Sequence, residues 1–168
     1  KHLASRTRYV STVRSEPQAI PYLVHALEYH DVSSKSAEEI LIELGATAVP
    51  ALLSGYHTKP TERAIIRGML AAIGSDAVTG IRKFMASGAL GVSQRAQLVR
   101  LLGDMDNSES RSLLADLQVD ASVDEANRVE AAAALYLLGD KEHRDFLVAS
   151  LDTSNVHARR AAAYCMSF

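Results

Sequence analysis

The hydrophobic residues of this chain recur at one helical spacing, and the same pattern returns several times along the sequence. It is counted from four framework positions, Ser34, Arg63, Arg95 and Arg128. Three, six, seven and ten residues after each of them stands an apolar side chain; in the second unit these are Ile66, Met69, Leu70 and Ile73. Steps of three and four residues place side chains on one face of an α-helix. The pattern therefore predicts four amphipathic helices with equivalent buried faces.

Each of these helices is followed by a turn residue, and shorter apolar segments precede them. The segments AIPYLVHAL, AVPALLSGY and AVTGIRKFM begin at residues 19, 48 and 77. The turn residues are Gly45, Gly74, Asp106 and Gly139. Residues of these types are expected just past a helix, where the backbone becomes left-handed. Pro21 and Pro50 stand near the start of their segments, where a missing N–H costs little. The repeating unit is therefore two helices and two tight turns.

The predicted helix pairs cover residues 19–29 with 34–44, 47–56 with 61–73, 76–87 with 93–105, 108–118 with 123–138, and 141–151 with 154 onward. One hairpin cannot bury its own apolar stripe, but stacked neighbours can. We therefore expect an all-α fold, an α-α superhelix (solenoid) of about five stacked helical hairpins forming a single domain over residues 1–168. Residues 3–14 are expected to add the last helix of a preceding unit, with Tyr9, Val10 and Val13 as its apolar side.

The segment NRVEAAAALYLLGDKEHRDFLVASLDTSNVHARRAAAYCM resembles the short HEAT-like repeat of phycobilisome lyase subunits. The matching pieces are Arg128, the residues from Ala131 to Leu135, Gly139-Asp140, Phe146-Leu147 and Leu151. The resemblance extends over residues 19–168 and implies a HEAT-like array, but such repeats serve many unrelated roles. With Arg159 as the next framework residue, the last helix is expected to run to Phe168. The chain is then expected to be a piece of a longer array or of a multidomain protein.

Composition and charge narrow the classes of function. Hydrophobic residues make up 48% and charged residues 23% of the chain, which excludes a disordered protein. The formal net charge is −2, so the excess of lysine and arginine that a general grip on nucleic acid requires is absent. Cys165 is the only cysteine, so no internal disulfide can form and a cytoplasmic location is expected. No apolar run of transmembrane length and no signal peptide is found, so no membrane partner is expected.

Four arginines occupy the framework position in successive units. These are Arg63, Arg95, Arg128 and Arg159. They form either a basic strip for phosphates and acidic side chains, or a structural ladder that bonds turn carbonyls or acids such as Asp76 and Asp140. We favour the structural ladder, because repetition at a framework position is typical of a scaffold role.

The outer face of the second helices, at one, five and eight residues after the framework position, carries small and apolar side chains. Its predicted partner-binding residues are Ala64, Gly68, Ala71, Arg100, Gly103, Val129, Ala133 and Tyr136. A solvated helix face normally carries lysine, glutamate and glutamine. The pattern therefore indicates either a concave groove for a partner helix or strand, with Arg100 and Tyr136 reaching into it, or small residues selected for packing and curvature.

No arrangement of residues points to chemistry. The histidines do not form His-Glu pairs at helical spacing, and no cysteine or carboxylate joins them at ligand spacing. Cys165 falls on the core stripe, where a buried thiol with a raised pKa is expected rather than a nucleophile. The sequence holds no Gly-rich phosphate loop and no nucleophile elbow. We therefore expect no catalytic residue, no metal site and no cofactor.

Three functions are compatible with these features. The first is a non-catalytic scaffold that binds another protein on the concave face of the solenoid. The second, implied by the resemblance, is a phycobilin lyase-type subunit that binds a linear tetrapyrrole or its carrier protein. The third is a HEAT-like module for nucleic-acid binding or DNA repair, which the acidic balance and the lack of tryptophan disfavour. We expect the first.

Overall fold

The computed structural model describes residues 2–88 and 90–167, with the side chains of residues 9–88 and 90–167. Over these residues the chain is all-α, as predicted, with eleven α-helices and no strand. The helices are α1 (His2–Ser15), α2 (Ile20–Ala26), α3 (Val32–Leu44), α4 (Val49–Thr58), α5 (Arg63–Ile73), α6 (Ser75–Ala86), α7 (Val92–Met105), α8 (Ser108–Val119), α9 (Glu125–Leu137), α10 (Arg144–Ala149) and α11 (Val156–Cys165). Short 3₁₀ turns extend some of them, at Pro17–Ala19, Leu27–Tyr29, Gly45–Thr47, Lys141–His143 and Ser150–Asp152.

The predicted helix pairs agree with this order, and three of the helices differ in detail. The helix predicted over 19–29 is a short α2 between two 3₁₀ turns. The helix predicted over 141–151 is a short α10 between two 3₁₀ turns. At its end the Ser150 hydroxyl donates to the Phe146 carbonyl at 2.8 Å, a side-chain bond that competes with the helical backbone pattern. The last helix was expected to reach Phe168, which lies outside the described residues, whereas α11 ends at Cys165.

The four predicted turn residues adopt the backbone conformation that their sequence types indicated. Gly45, Gly74, Asp106 and Gly139 have φ values of 58°, 73°, 42° and 107°. Positive φ is strained for most side chains and favours glycine, with aspartate among the tolerated exceptions. A single residue type after each of α3, α5, α7 and α9 therefore predicts the turn that ends the helix.

The predicted apolar stripes form the core, with exceptions close to the helix ends. Twelve of the sixteen stripe positions are buried, among them Leu41, Leu70, Leu102 and Leu135. The positions that stay half-buried are Ile73, Met105, Ala134 and Leu138, all in the last turns of their helices or just beyond. The apolar side predicted for α1 is right for Val10 and Val13 but wrong for Tyr9, whose side chain is half exposed. Val10 and Val13 are three residues apart and share a face, and Tyr9 lies beside that face.

The chain divides into two compact units, Lys1–Phe84 and Met85–Phe168. In the first unit α2 packs on α3 and α4 packs on α5, while α2 also contacts α4 and α3 contacts α5. In the second unit α9 packs between α7 and α11, and it also contacts α8 and α10. Each unit thus sets second helices beside second helices. The prediction of one domain over residues 1–168 stays a prediction.

None of the described helices alone has both the length and the apolar composition to cross a membrane. Two pairs of helices meet those criteria only when their segments are added together, and the pairs are bent by 120° and 117°.

The start of α3 is held by a carboxylate that titrates. Asp31 accepts hydrogen bonds from the backbone N–H groups of Ser33 at 2.8 Å and Ser34 at 3.2 Å. The hydroxyl of Ser33, followed by these N–H groups, holds the pKa of Asp31 below its ordinary value. A carboxylate whose folded pKa is depressed stabilises the fold above its unfolded pKa of about 3.9, and this contribution disappears as the pH falls through the folded pKa.

We therefore expect Asp31→Ala to destabilise the protein at neutral pH and to do so less in acid. The measurement is urea unfolding of the wild type and the variant at about pH 7 and about pH 2.5. Asp31→Asn is the matched control, because asparagine caps as well as aspartate but does not titrate. An Asp31→Ala effect that is equally large at both pH values would contradict the assigned role of the charge.

Candidate functional site

The second unit contains a groove of about 550 Å³ whose walls come from α7, α9 and α11. In the predicted helix pairs these are the second helices of three successive units, and of the predicted partner-binding residues Arg100 alone lines the groove. Ala96, Ala126 and Ala161 supply one small side chain from each helix. Because their methyl groups leave room between the helix backbones, the groove has a shallow apolar floor. The volume lies in the range of sites that bind small molecules or a few side chains.

The floor is rigid because α9 and α11 share a packed cluster. Val129, Ala133, Ala158, Ala162 and Cys165 are buried in it, together with Ala126 and Ala161 of the groove floor. The Cys165 thiol donates to the Ala133 carbonyl at 3.5 Å. Burial raises the pKa of the Cys165 thiol, as expected from its place on the core stripe. This cysteine therefore acts as a small core residue between the two helices.

A charge pair crosses the groove from α7 to α9. About nine-tenths of the Glu130 side chain is buried, while about three-fifths of the Arg100 side chain is exposed. The Arg100 guanidinium donates from Nε to one carboxylate oxygen of Glu130, and from Nη2 to the other at 3.0 Å. This two-point pairing fixes the orientation of the guanidinium. The buried carboxylate of Glu130 thereby has the compensating charge that burial requires.

The third wall is one face of α11. His157, Arg160, Ala161 and Tyr164 line the groove, and their spacing of three, four and seven residues puts them on the same side of the helix. Arg160 is exposed, and about two-thirds of Tyr164 is exposed. α11 therefore presents a cation, an imidazole and a phenol above the alanine floor.

The predicted partner-binding face is distributed differently in the two units. In the first unit Ala64, Gly68 and Ala71 are exposed, as expected. In the second unit Arg100 lines the groove. Gly103 is half-buried instead, because α9 packs against it. A Cβ atom added at Gly103 would lie 3.1 Å from the Ala134 methyl group. The absence of a side chain at Gly103 thus serves helix packing between α7 and α9.

Beside Gly103, three more predicted residues of the second unit do not line the groove. Val129 and Ala133 were expected to point away from the core, and this is wrong: both are buried under α11. Tyr136 was expected to reach into the groove, but it packs against the same cluster. Its ring faces the Lys141 ammonium, which lies 3.9 Å from the ring centroid. The cause is α11, which covers the face of α9 that would otherwise be open.

The framework arginines make local contacts rather than one common strip. Arg63 donates from Nε to the Tyr56 carbonyl at 2.9 Å, and its guanidinium lies 5.5 Å from the centre of the Tyr56 ring. Arg159 donates from Nη1 to the Thr153 carbonyl at 2.7 Å. The Tyr56 carbonyl lies in the last turn of the preceding helix α4, and the Thr153 carbonyl lies just before α11. Both are the kind of bond that the structural interpretation describes. The Nε atoms of Arg95 and Arg128 are buried without a hydrogen-bond partner among the described residues.

Sequence reasoning missed the α11 wall, although the signal for it was present. Counted from Arg159, Arg160 and Tyr164 stand at the same one- and five-residue offsets that were used to select Arg100. Applying that rule to the last unit would have found both residues. His157 and Ala126, by contrast, stand two residues before the framework arginines of their units, outside the offsets considered.

Two arginines outside the ladder hold helix ends, and these were also missed. Arg14 donates to the Glu43 carbonyl of α3 at 3.0 Å. Arg111 donates to the Leu138 carbonyl after α9 at 3.1 Å and to Asp106 at 2.6 Å. Such bonds satisfy carbonyls that have no partner inside the helix. Each of these arginines is at least 27 residues from the carbonyl that it binds, so no local pattern marks these bonds.

The groove holds no metal-binding set. Among the residues that the structure describes, no group of three or more histidine, cysteine, aspartate or glutamate side chains is arranged to hold a metal ion. Comparison of the chain with protein-family models, with curated proteins and with solved structures found no significant match. The resemblance to HEAT-like repeats therefore rests on the residues of this chain alone, and the groove between α7, α9 and α11 has to be interpreted from its own geometry.

Proposed function

We propose that this chain is a non-catalytic interaction module, a HEAT-like solenoid that binds a segment of another protein in the groove between α7, α9 and α11. The observation that carries the proposal is the groove itself, about 550 Å³ in volume and lined by α7, α9 and α11, which the sequence predicts to be the second helices of three successive units. A partner segment bound there would contact all three helices at once.

The repeat interpretation has support from the turns and from the packing inside each unit. The positive φ values at Gly45, Gly74, Asp106 and Gly139 recur at equivalent positions after the second helices. Within both units, second helices contact second helices. This is the neighbour pattern of stacked hairpins, in which each repeat buries the stripe of the next. Repeat arrays of this type commonly present extended concave surfaces for binding.

The groove also has the chemistry of a peptide-binding surface. An alanine floor allows a bound backbone or small apolar side chains to approach closely, and the surrounding walls carry polar groups that fix orientation. Tyr164 and Arg160 are residue types that often dominate binding energy in protein interfaces. Arg100 is a poor residue for testing this function, because Arg100→Glu would set a second carboxylate against the buried Glu130.

We expect Ser93→Trp to block the groove. Ser93 is exposed at the groove wall near the start of α7, so a bulky ring there fills the mouth without entering the core. The assay is selection of a random dodecapeptide phage library on the wild-type protein, followed by fluorescence anisotropy of the selected peptides. Ser93→Trp should weaken their binding at least about tenfold, or about 1.4 kcal/mol.

The matched control is Ser112→Trp, the same change at an exposed position of α8 that does not line the groove. It should leave the dissociation constants within about twofold, since surface substitutions away from a site usually have small effects. Circular dichroism of each variant checks that the helices are retained. Peptides that bind Ser93→Trp as tightly as the wild type would overturn the groove as the binding site.

A further inference from the structure

We infer that the groove selects an acidic segment of its partner, with a partner carboxylate paired to the guanidinium of Arg160. This inference rests on the proposed function, because it names the chemistry of the segment that the groove would receive. The offset rule places Arg160 on the outer face of its helix, but its charge preference follows only from the charges that the structure brings together around the groove.

The formal charges that line the groove do not cancel. They belong to Arg100, Glu130 and Arg160. Arg100 and Glu130 offset one another, since both oxygens of the Glu130 carboxylate accept hydrogen bonds from one guanidinium. The Arg160 side chain makes no hydrogen bond or ion pair with the described part of the chain, and it is exposed. Among the described residues, nothing neutralises the positive charge that Arg160 brings to the groove.

Because Glu130 is buried, the uncompensated charge of Arg160 should favour acidic partner segments over basic ones. A basic partner segment needs an acceptor in the groove, but Glu130, the one carboxylate among the described residues that line it, is about nine-tenths buried and already engaged. Such a segment would bring its charge beside Arg160 without compensation. An acidic segment instead meets an exposed guanidinium that can bind a carboxylate with two parallel hydrogen bonds. The arrangement therefore attracts one sign of charge and rejects the other.

The residues beside Arg160 on α11 are also suited to binding an acidic segment. His157 lies one turn before Arg160 and Tyr164 one turn after it, and both line the groove. The exposed ring of Tyr164 can cover apolar atoms of a peptide. The floor of Ala96, Ala126 and Ala161 accepts small apolar side chains. The expected segment therefore alternates acidic residues with small apolar ones.

The test uses the whole chain and reverses one charge. The wild type, Arg160→Glu and Arg144→Glu are each used to select peptides from the same random dodecapeptide library. Arg144 is the matched control, because it is exposed on α10 and does not line the groove. We expect the wild type and Arg144→Glu to select peptides rich in Asp and Glu, and Arg160→Glu to select peptides rich in Lys and Arg.

Dissociation constants measured with the selected acidic peptides show how much Arg160 contributes to their affinity. Arg160→Glu should weaken them by about tenfold, since an attraction between exposed charges becomes a repulsion of similar size. The loss should shrink at high salt, because salt screens exposed charges. Arg160→Gln, which removes the charge without reversing it, should lie between the wild type and Arg160→Glu.

The outcomes separate the two proposals. Peptides that lose binding in Ser93→Trp but carry no acidic bias, or that bind Arg160→Glu equally well, would overturn the acidic-segment inference and leave the groove in place. Acidic peptides that bind Ser93→Trp as tightly as the wild type would overturn the groove as the binding site. A library that yields no peptide on a folded wild-type protein would overturn both.

Discussion

Replacing Leu135 by alanine should lower the free energy of unfolding by about 2–5 kcal/mol, the usual cost of truncating a fully buried leucine. Leu135 lies on α9 and is almost completely buried. This helix packs against α7, α8, α10 and α11, so a cavity there opens at the centre of the second unit. The surrounding helices are fixed by many neighbours and cannot easily collapse into the space, which favours the upper part of the range.

Leu137→Ala is the matched control for this change. It is the same substitution on the same helix, but half of the Leu137 side chain is exposed. It should alter the free energy of unfolding by no more than about 0.5 kcal/mol. Urea unfolding followed by circular dichroism measures both variants. Equal losses for Leu135→Ala and Leu137→Ala would mean that the register assigned to α9 is wrong.

That register came from the sequence, which was informative wherever one residue type has one structural consequence. Leu135 and Leu137 are identical in type, and only their distances from Arg128 distinguish the buried one from the exposed one. Gly45 and Gly139 marked helix ends because positive φ suits so few residues. Short-range rules of this kind fixed the helices, the turns and most of the core.

The candidate site was predicted less well, because it depends on which helix covers which. The offsets from the framework arginine describe one helix in isolation, and they placed Val129 and Arg100 on equivalent open faces. In the structure α11 covers Val129, while Arg100 stays at the groove beside Glu130. Whether a helix face is open depends on the neighbour that packs on it, and α9 has a neighbour on each side. No spacing within α9 contains that information.

The pairing of Arg100 with Glu130 was beyond sequence reasoning for the same reason. The two residues lie on different helices, and nothing local indicates that one will neutralise the other. The consequence for function is large, because Arg100 looked like the reaching cation of the face and Arg160 had not been considered. Only the distances between the arginines and nearby carboxylates show that Arg100 is paired with Glu130 and that Arg160 is not paired with it. The shift from Arg100 to Arg160 is therefore a result of tertiary packing.

A second large effect on stability is expected at Gly80, in the middle of α6. A Cβ atom added there would lie 2.3 Å from Cγ1 and 3.2 Å from Cβ of Val49, which is buried at the start of α4. Valine is branched at Cβ and has few rotamers, so it cannot turn aside. We expect Gly80→Ala to cost about 1–3 kcal/mol in the free energy of unfolding, the usual cost of overpacking a core.

The comparison with Gly68→Ala makes this prediction specific to packing. Gly68 also lies inside a helix, and apart from its chain neighbours and the backbone of its own helix, no described atom lies within 4 Å of the position that its Cβ would take. There the higher helix propensity of alanine should stabilise the protein by roughly 0.5–1 kcal/mol. The same substitution at two helical glycines of the first unit should thus have opposite signs. Two stabilising changes would mean that α4 and α6 do not approach as closely as the structure has them.

Shortening the Val49 side chain should reduce the loss of stability that Gly80→Ala causes. Val49→Ala deletes the methyl groups that meet the new Cβ, so the double variant with Gly80→Ala brings two small side chains together. Val49→Ala alone leaves a void and destabilises the protein, because the lost contacts are not replaced. In the double variant the alanine at position 80 fills part of that void. The double variant should therefore lose about 1–3 kcal/mol less than the two single losses combined, the coupling expected of residues in direct contact. Strict additivity in urea unfolding would mean that Gly80 is required for some reason other than the approach of Val49.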